Sequence, residues 1–231
     1  MLKLGNITVS DLKLGTTQIT KAYLGSNLVW QKQQPLPYDA EVQYLECSGN
    51  SYVETGLSVV NYVGYPLEIK YRFTAYRSTE SWCIGYWNTT PEWRIYLAGH
   101  YYENLRCGVG PDNSTYHCFI PFDTNWHVAE LKLDGAYFDG VKGADTNLYA
   151  MPAPTTPSIW LGRSSHADGN TIRQIEYCKM WTVEGTLVRD FIPVRFTDEN
   201  SQTRGAFYDK VTKQLFKNAG SVNFTIGPDK T

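Results

Sequence analysis

The sequence predicts an all-β chain, with a small β-repeat arm at the N-terminus and an antiparallel two-sheet sandwich or jelly roll after it. Apolar and polar residues alternate over many short segments, with the two-residue period of half-buried strands. No window of a dozen residues places apolar side chains at the spacing of an amphipathic helix. Glycine and proline, 19 and 11 of 231 residues, separate the segments at turn positions.

The composition excludes several classes of protein. Lys and Arg number 21 against 23 Asp and Glu, so the chain has no basic field that would hold nucleic acid. A hydrophobic fraction of 42% excludes a disordered chain. The longest apolar runs are far shorter than the ~20 residues of a membrane span, so no membrane insertion is expected. Residues 1–6 lack the pattern of a signal peptide, which predicts synthesis in a cytosol without export by that route.

The first thirty residues contain a repeat. Leu2-Lys3-Leu4-Gly5 recurs ten positions later as Leu12-Lys13-Leu14-Gly15, and Ala22-Tyr23-Leu24-Gly25 follows after another ten. Each Leu-Gly leads through a polar turn to another apolar residue. Because glycine adopts positive φ without strain, this pattern predicts strands of about five residues joined by tight turns.

Three such units bury little surface alone. We therefore expect residues 1–32 to be an attachment or oligomerisation arm that docks on its own domain, on copies of itself or on another protein. The alternative is that these residues form ordinary strands of the main domain. The apolar residues expected to make the attachment are Leu4, Ile7, Leu14, Ile19, Tyr23, Leu24, Leu28 and Trp30.

A proline linker is predicted at residues 33–37. Pro35 and Pro37 hold the residues before them in extended conformations, and the surrounding residues are polar. Such a segment is a semi-rigid spacer. The sandwich is therefore predicted over residues 38–231.

Two segments of the sandwich carry the clearest strand patterns. Residues 67–74 alternate strictly between apolar and polar, and residues 127–133 do the same. Asp134-Gly135 and Asp139-Gly140 are turn signals on either side of Tyr137-Phe138, which predicts a hairpin. Further strands are predicted at 81–87, 93–98, 116–120, 158–162, 172–183 and 187–196. About a dozen short strands of this kind are typical of a sandwich or jelly roll.

The five cysteines are predicted to be free core residues. They lie far apart, contain no Cys-x-x-Cys pair and are odd in number, which argues against a disulfide framework.

Three stretches of the chain resemble a known family. The segment 126–140, with its Trp-His opening and two Asp-Gly turns, resembles a hallmark hairpin of laminin-G-like, concanavalin A-like lectin domains. The opening pair at 44–56 resembles the same family as found in phages and prophages. So does a closing signature that runs from 187–195 through 205–209 to 217–220. The resemblance covers roughly residues 38–228 and implies a concanavalin A-like jelly roll.

The arm has a resemblance of its own. Residues 19–30 are similar to short segments that open phage fibre and other virion proteins. The resemblance implies a virion structural protein, a head or tail fibre or a decoration, whose partners are other capsid or tail proteins. It further implies a homo-oligomer, with a trimer favoured, and adhesion to bacterial surface glycans. Two alternatives stay open: a glycan depolymerase on the same fold, and a purely structural module that binds no sugar.

We looked for catalytic chemistry and expect no enzyme. Glycoside hydrolases with the relevant jelly roll carry Glu-x-Asp-x-x-Glu on one strand, and this sequence has no such triplet. No pair of carboxylates stands out, although distant residues could converge in space. Neighbouring Ser, His and Asp residues at 164–168 cannot form a triad, which needs residues from separate elements. No catalytic residue is nominated.

No metal or other cofactor is predicted, with calcium as the alternative. Some laminin-G-like domains bind calcium through loop carboxylates, and Asp112-Asn113 and Asp168-Gly169-Asn170 offer such ligands. Aspartate and asparagine are common in loops for turn reasons as well. The four histidines show no ligand spacing, and His127 is expected to be a packed or hydrogen-bonded strand residue.

Aromatic residues are concentrated between positions 82 and 102. Seven of those twenty-one residues are Trp or Tyr, too many to point inward together if the strands alternate. They would fill the core, contact a neighbouring subunit or stack on sugar rings. A loop between strands near residues 87–94 would suit a glycan-binding site. The candidate carbohydrate-binding residues are Trp87, Asn88, Trp93, Arg94, Tyr96, Tyr101 and Tyr102.

Overall fold

The computed structural model describes residues 3–4, 7–8, 11–14, 16–31, 35–58, 66–75, 81–89, 92–101, 104–111, 116–144, 158–163 and 172–231. These residues form 23 strands and no helix, which confirms the all-β class. Accordingly, no helix within them is long and apolar enough to cross a membrane. The chain divides into two compact units, Met1–Pro37 and Tyr38–Thr231.

The first unit consists of three short antiparallel hairpins, one for each repeat. Leu24 and Asn27 are register partners across a two-residue turn in which Gly25 has a φ of +62°. A glycine at the first central position is what a type II′ turn requires. Most of the strands are shorter than the predicted five residues. They are β1 (Lys3–Leu4), β2 (Ile7–Thr8), β3 (Leu12–Leu14), β4 (Thr17–Ile19), β5 (Lys21–Leu24) and β6 (Asn27–Gln31).

The second unit contains two antiparallel sheets. The smaller sheet has six strands, in the order β14 (Tyr116–Pro121), β13 (Asn104–Pro111), β12 (Glu92–Tyr101), β11 (Ser81–Thr89), β18 (Ser158–Leu161) and β9 (Val53–Ser58).

The larger sheet has eleven strands. Its main path runs β17 (Val141–Ala144), β16 (Gly135–Phe138), β15 (His127–Lys132), β10 (Leu67–Phe73), β19 (Arg173–Trp181), β20 (Leu187–Thr197), β21 (Thr203–Asp209) and β22 (Gln214–Lys217). Three short strands complete it: β7 (Ala40–Glu41) on β20, β8 (Leu45–Cys47) on β19 and β23 (Thr225–Ile226) on β8.

One apolar core lies between the two sheets. Leu67, Ile69 and Tyr71 of β10 belong to the same buried cluster as Ile84 of β11 and Leu161 of β18. Alternation along these strands turns one row of side chains into this cluster and the other row outward. On β20 and β21 the second row is also buried, in a separate apolar cluster that includes Val194 and Ala206. Two antiparallel sheets that share a core in this way form a β-sandwich.

The hairpin at 126–140 differs from its prediction at one turn. Leu133 was expected to continue the strand, but the turn is formed by Leu133 and Asp134, and Gly135 already pairs with Lys132. The side chain of Leu133 is consequently exposed. The second turn is as predicted: Asp139 and Gly140 have φ of +49° and +79°, the positive values that a type I′ turn requires.

The closing signature fastens the end of the chain to β9 and the loop before it. Asn218 Oδ1 accepts the backbone N–H of Tyr52 at 3.0 Å, and Asn218 Nδ2 donates to the carbonyl of Val222 at 3.0 Å. The guanidinium Nε of Arg189, on β20, donates to the carbonyl of Thr55 at 2.9 Å and so links the two sheets. These residues of the signature therefore serve the fold.

Asp209 has a similar structural role. It is fully buried, and its Oδ1 accepts the backbone N–H groups of Asp190 at 2.8 Å and Val211 at 3.0 Å. Its Oδ2 accepts the hydroxyl of Thr212 at 2.7 Å. The carboxylate thus satisfies the turn that joins β21 to β22.

The first and last segments of the second unit are neighbours. Val42 and Asp229 form an isolated antiparallel bridge, and the backbone N–H of Lys230 donates to the carbonyl of Glu41 at 2.9 Å. Arg195 makes a bidentate ion pair with Asp229, at 2.8 and 2.9 Å, which holds the last residues on the sheet.

Three of the cysteines are as predicted. Cys47, Cys83 and Cys178 are free and buried, and burial raises the pKa of the Cys178 thiol well above its ordinary value. Cys107 and Cys118 are register partners on β13 and β14.

Candidate functional site

The outer surface of the larger sheet carries a row of charged side chains around its central strand, β10. Leu67, Ile69 and Tyr71 point into the core, so Glu68 and Lys70 between them face outward. Strands β15 and β19 pair with β10 on its two sides and bring their own outward residues alongside. The sheet register therefore decides which side chains meet here.

Two carboxylates lie directly opposite each other in this row. Glu68 of β10 pairs with Glu130 of β15, and like charges in such positions repel. Each is compensated by a lysine. Lys132 Nζ lies 2.9 Å from Glu130 Oε1, and Lys179 Nζ lies 3.6 Å from Glu68 Oε1. The four charges sum to zero.

Tyr177 adds a neutral donor beside this row. Burial, followed by a hydrogen bond to Glu68, raises the pKa of its phenol far above the ordinary value. The hydroxyl therefore stays protonated and donates a hydrogen bond to the Glu68 carboxylate.

A surface pocket of about 260 Å³ lies on this face of the larger sheet, at the N-terminal end of β10. Its polar lining residues are Glu68, Glu130 and Lys132, and its apolar ones are Pro66, Leu67, Leu131 and Trp181. The backbone N–H of Trp181 donates to the carbonyl of Pro66 at 2.9 Å, which fixes both residues at the rim. We call this feature the β10 pocket.

At the opposite end of the same surface, the side chains contact one another. The Arg72 guanidinium lies 4.8 Å from the ring of Trp126 and 6.0 Å from that of Tyr44. Its Nε donates to Gln174 Oε1 at 2.8 Å, and Gln174 in turn donates to Glu46 at 2.8 Å. Both aromatic rings therefore already contact the Arg72 cation in structural cation–π interactions.

A pair of stacked rings lies on β18 and on the residue that precedes β9, the edge strand of the smaller sheet. Tyr52 and Trp160 stack with centroids 4.1 Å apart and an interplanar angle of 21°. The Arg163 guanidinium lies over both rings, and its Nη1 donates to Asn50. No sequence pattern predicts this contact, because the two rings are 108 positions apart.

His127 is a hydrogen-bonded strand residue, as predicted. Its Nδ1 lies 2.8 Å from Asp139 Oδ2 and its Nε2 lies 2.9 Å from Asp123 Oδ1. Burial opposes protonation of the ring, but the hydrogen bonds to Asp139 and Asp123 outweigh it and raise the pKa of His127. Asp139 also accepts the backbone N–H of Val128 at 2.9 Å. The histidine thus clamps the Asp139-Gly140 turn to β15.

The arm exposes much of its apolar surface. Leu14 and Leu24 are 76% and 75% exposed, and Tyr23 and Leu28 are 56% and 50% exposed. Trp30 is buried, at 4% exposure, and Ile19 is half-buried. Leu4 and Ile7 are register partners, and for them the structure describes only the backbone.

The candidate carbohydrate residues of the smaller sheet are described by backbone pairing alone. Trp87 pairs with Arg94 and Asn88 pairs with Trp93, so these four residues lie on the hairpin strands β11 and β12. The loop expected near 87–94 is therefore shorter than we predicted. Tyr96 and Tyr101 also lie on β12, and Tyr102 falls outside the described residues.

Two further sequence predictions fall outside the described part of the chain. These are the calcium alternative at 112–113 and 168–170, and the Ser-His-Asp segment at 164–168. Among the residues that the structure describes, no group of three or more His, Cys, Asp or Glu side chains is placed to hold a metal ion.

No protein family, no curated protein and no solved structure matches the chain.

Proposed function

We propose that this chain is a non-enzymatic bacteriophage virion protein, a fibre or decoration, in which the Met1–Pro37 unit joins sister chains and the sandwich binds host-surface glycans. The observation that carries the proposal is the exposed apolar surface of the arm, centred on Leu14, Leu24 and Leu28. The similarity of residues 19–30 to segments that open phage fibre proteins gives this surface its context.

The physics of short hairpins supports an assembly role. An isolated two-stranded hairpin is marginally stable in water, and the arm consists of three of them with strands of two to five residues. Each two-stranded sheet has two edges whose backbone groups are open to a further strand. A neighbour that covers the leucines and pairs with these edges would stabilise the whole unit.

The repeat favours a second copy of this chain as that neighbour. Leu4, Leu14 and Leu24 precede the turns of the three hairpins, so the same hairpin pattern recurs three times along the arm. Repeated units of this kind stack on one another, and sister chains supply the same units. We favour a trimer, in which the sandwiches are displayed in several copies and weak glycan contacts add through avidity.

The display role belongs to the sandwich. We propose that its strands are connected as a concanavalin A-like jelly roll, as the resemblance over residues 38–228 implies. The Trp-His hairpin and the closing signature, which carry that resemblance, hold the hydrogen bonds of His127, Asp209 and Asn218 that the fold needs.

Light scattering of the full chain tests the assembly role. The variant Leu24→Ser/Leu28→Ser removes apolar contacts from the arm, and Leu133→Ser is the control, since Leu133 is a similarly exposed leucine of the sandwich. We expect a trimer for the wild type and for L133S, and a monomer for the double variant. A monomeric wild type at about 100 μM, or a double variant that stays trimeric, would refute self-assembly through the arm.

One observation favours the depolymerase as a second candidate function. Glu68 and Glu130 face each other across β10 and β15, and glycoside hydrolysis uses two carboxylates that flank the scissile bond. Purified protein incubated with capsular polysaccharide would then release reducing ends. Glu68→Gln and Glu130→Gln would each abolish the release, whereas Glu176→Gln, on the same surface, would not.

A further inference from the structure

We infer that the β10 pocket is the glycan site of the sandwich and that it selects neutral saccharides over charged ones. The inference rests on the proposed display function and moves its site from the smaller sheet to the larger one. It is carried by the pocket's shape, its balanced charges and its aromatic wall.

The charges decide the class of ligand. Glu130 pairs at 2.9 Å with Lys132, which lines the pocket, and Glu68 pairs at 3.6 Å with Lys179, which lies beside it, so each carboxylate has a cationic partner. A cationic or anionic ligand is attracted by one member of each pair and repelled by the other, so the paired charges favour neither sign of ligand. A neutral ligand with hydroxyl groups can donate to the carboxylates and accept from the ammonium groups without breaking either pair.

The walls of the pocket suit a sugar ring. Trp181 and Pro66 form an apolar side against which the C–H face of a pyranose would lie. The carboxylates of Glu68 and Glu130 line the same pocket, and their side chains are 25% and 15% exposed. An apolar wall with a few oriented polar groups is the usual make-up of a small-ligand pocket.

Two other described aromatic clusters are less suitable. The rings of Trp126 and Tyr44 are engaged by Arg72, and those of Tyr52 and Trp160 stack on each other under Arg163. A sugar would have to displace these contacts, whereas the β10 pocket is an existing concavity.

The test is binding of the full chain to an array of bacterial surface polysaccharides that contains neutral, anionic and cationic members. We expect the wild type to bind neutral polysaccharides. Trp181→Ala and Glu68→Gln should each weaken that binding by about tenfold or more. Glu68→Gln removes one hydrogen bond to a charged group, and Trp181→Ala removes the apolar contact with the sugar ring.

Matched controls come from the same surface. Trp126→Ala removes a half-buried tryptophan outside the pocket, and Glu176→Gln neutralises a carboxylate that pairs with Lys70 at 2.7 Å. Both controls should bind as the wild type does. Thermal unfolding and light scattering of every variant establish that it is folded and assembled.

The outcomes separate this inference from the proposed function. Binding of the wild type that survives both W181A and E68Q overturns the β10 pocket and leaves the display function standing. Preference for charged polysaccharides overturns the selectivity. Absence of binding to every polysaccharide by an intact oligomer overturns the display function together with its site.

Discussion

Replacement of Gly220 by alanine tests the structural role of the closing signature. A Cβ on Gly220 would overlap the carbonyl oxygen of Asn50 and lie 3.1 Å from Cδ1 of Tyr52. Because backbone atoms cannot rotate away as a flexible side chain can, the turn at 218–222 must move off the segment at 50–52. The free energy of unfolding therefore falls by the contribution of the hydrogen bonds that join these two segments.

Three hydrogen bonds that use the backbone of residues 50 and 52 join the two segments, in addition to an exposed side-chain bond from Asn50 Nδ2 to Ser221 Oγ at 3.1 Å. Tyr52 N donates to Asn218 Oδ1 at 3.0 Å, Ala219 N donates to the Tyr52 carbonyl at 2.8 Å, and Val222 N donates to the Asn50 carbonyl at 3.3 Å. At about 1 kcal/mol each, their loss destabilises the sandwich by about 3 kcal/mol. For a domain of this size the change corresponds to a fall in Tm of about 6–12 °C.

Gly185→Ala is the control, because its cost has a different origin. Gly185 has a φ of +84° and no atom within 4 Å of an added Cβ, so only backbone strain of about 1 kcal/mol opposes the alanine. Urea unfolding of the full chain, followed by tryptophan fluorescence, measures both variants. A G220A protein no less stable than G185A would refute the steric argument.

Two further predictions concern titratable groups. Because the pKa of His127 is raised above 6.5, the stability that its imidazolium contributes is complete below pH 6.5 and is lost as the pH rises through the folded value. Asp139→Asn should therefore lower the unfolding midpoint more at pH 5.5 than at pH 8.5, and an equal loss at both values would contradict the clamp. The buried Cys178 thiol should resist iodoacetamide at pH 8 in native protein and react once unfolded, as peptide mass spectrometry would detect; rapid native labelling would show that the core is open there.

The strands that alternate strictly were predictable from the sequence. Strand β10 lies where residues 67–74 predicted it, since a two-residue period with one apolar face leaves a single way to bury Leu67 and Ile69. Leu133 was misplaced because it continues the same period, and only the pairing of Lys132 with Gly135 reveals the turn. Strand β13 was missed because its glycines, Gly108 and Gly110, interrupt any alternation.

The β10 pocket could not be predicted in the same way. Glu68 and Glu130 are 62 residues apart and meet only through the register of β10 on β15. Each looks like an ordinary outward residue of a half-buried strand. The concentration of aromatic residues at 82–102 is visible in the linear sequence, and it placed the glycan prediction on the smaller sheet.

The bridge between Val42 and Asp229 has a consequence for how the sandwich is used as a module. The segments around Val42 and Asp229 lie side by side, so both connections of the sandwich leave it at the same place. The sandwich can therefore be inserted into a surface loop of a host protein with little distortion. The same proximity makes it suited to circular permutation, with a short linker across the bridge and new ends opened in an exposed turn such as Leu133-Asp134.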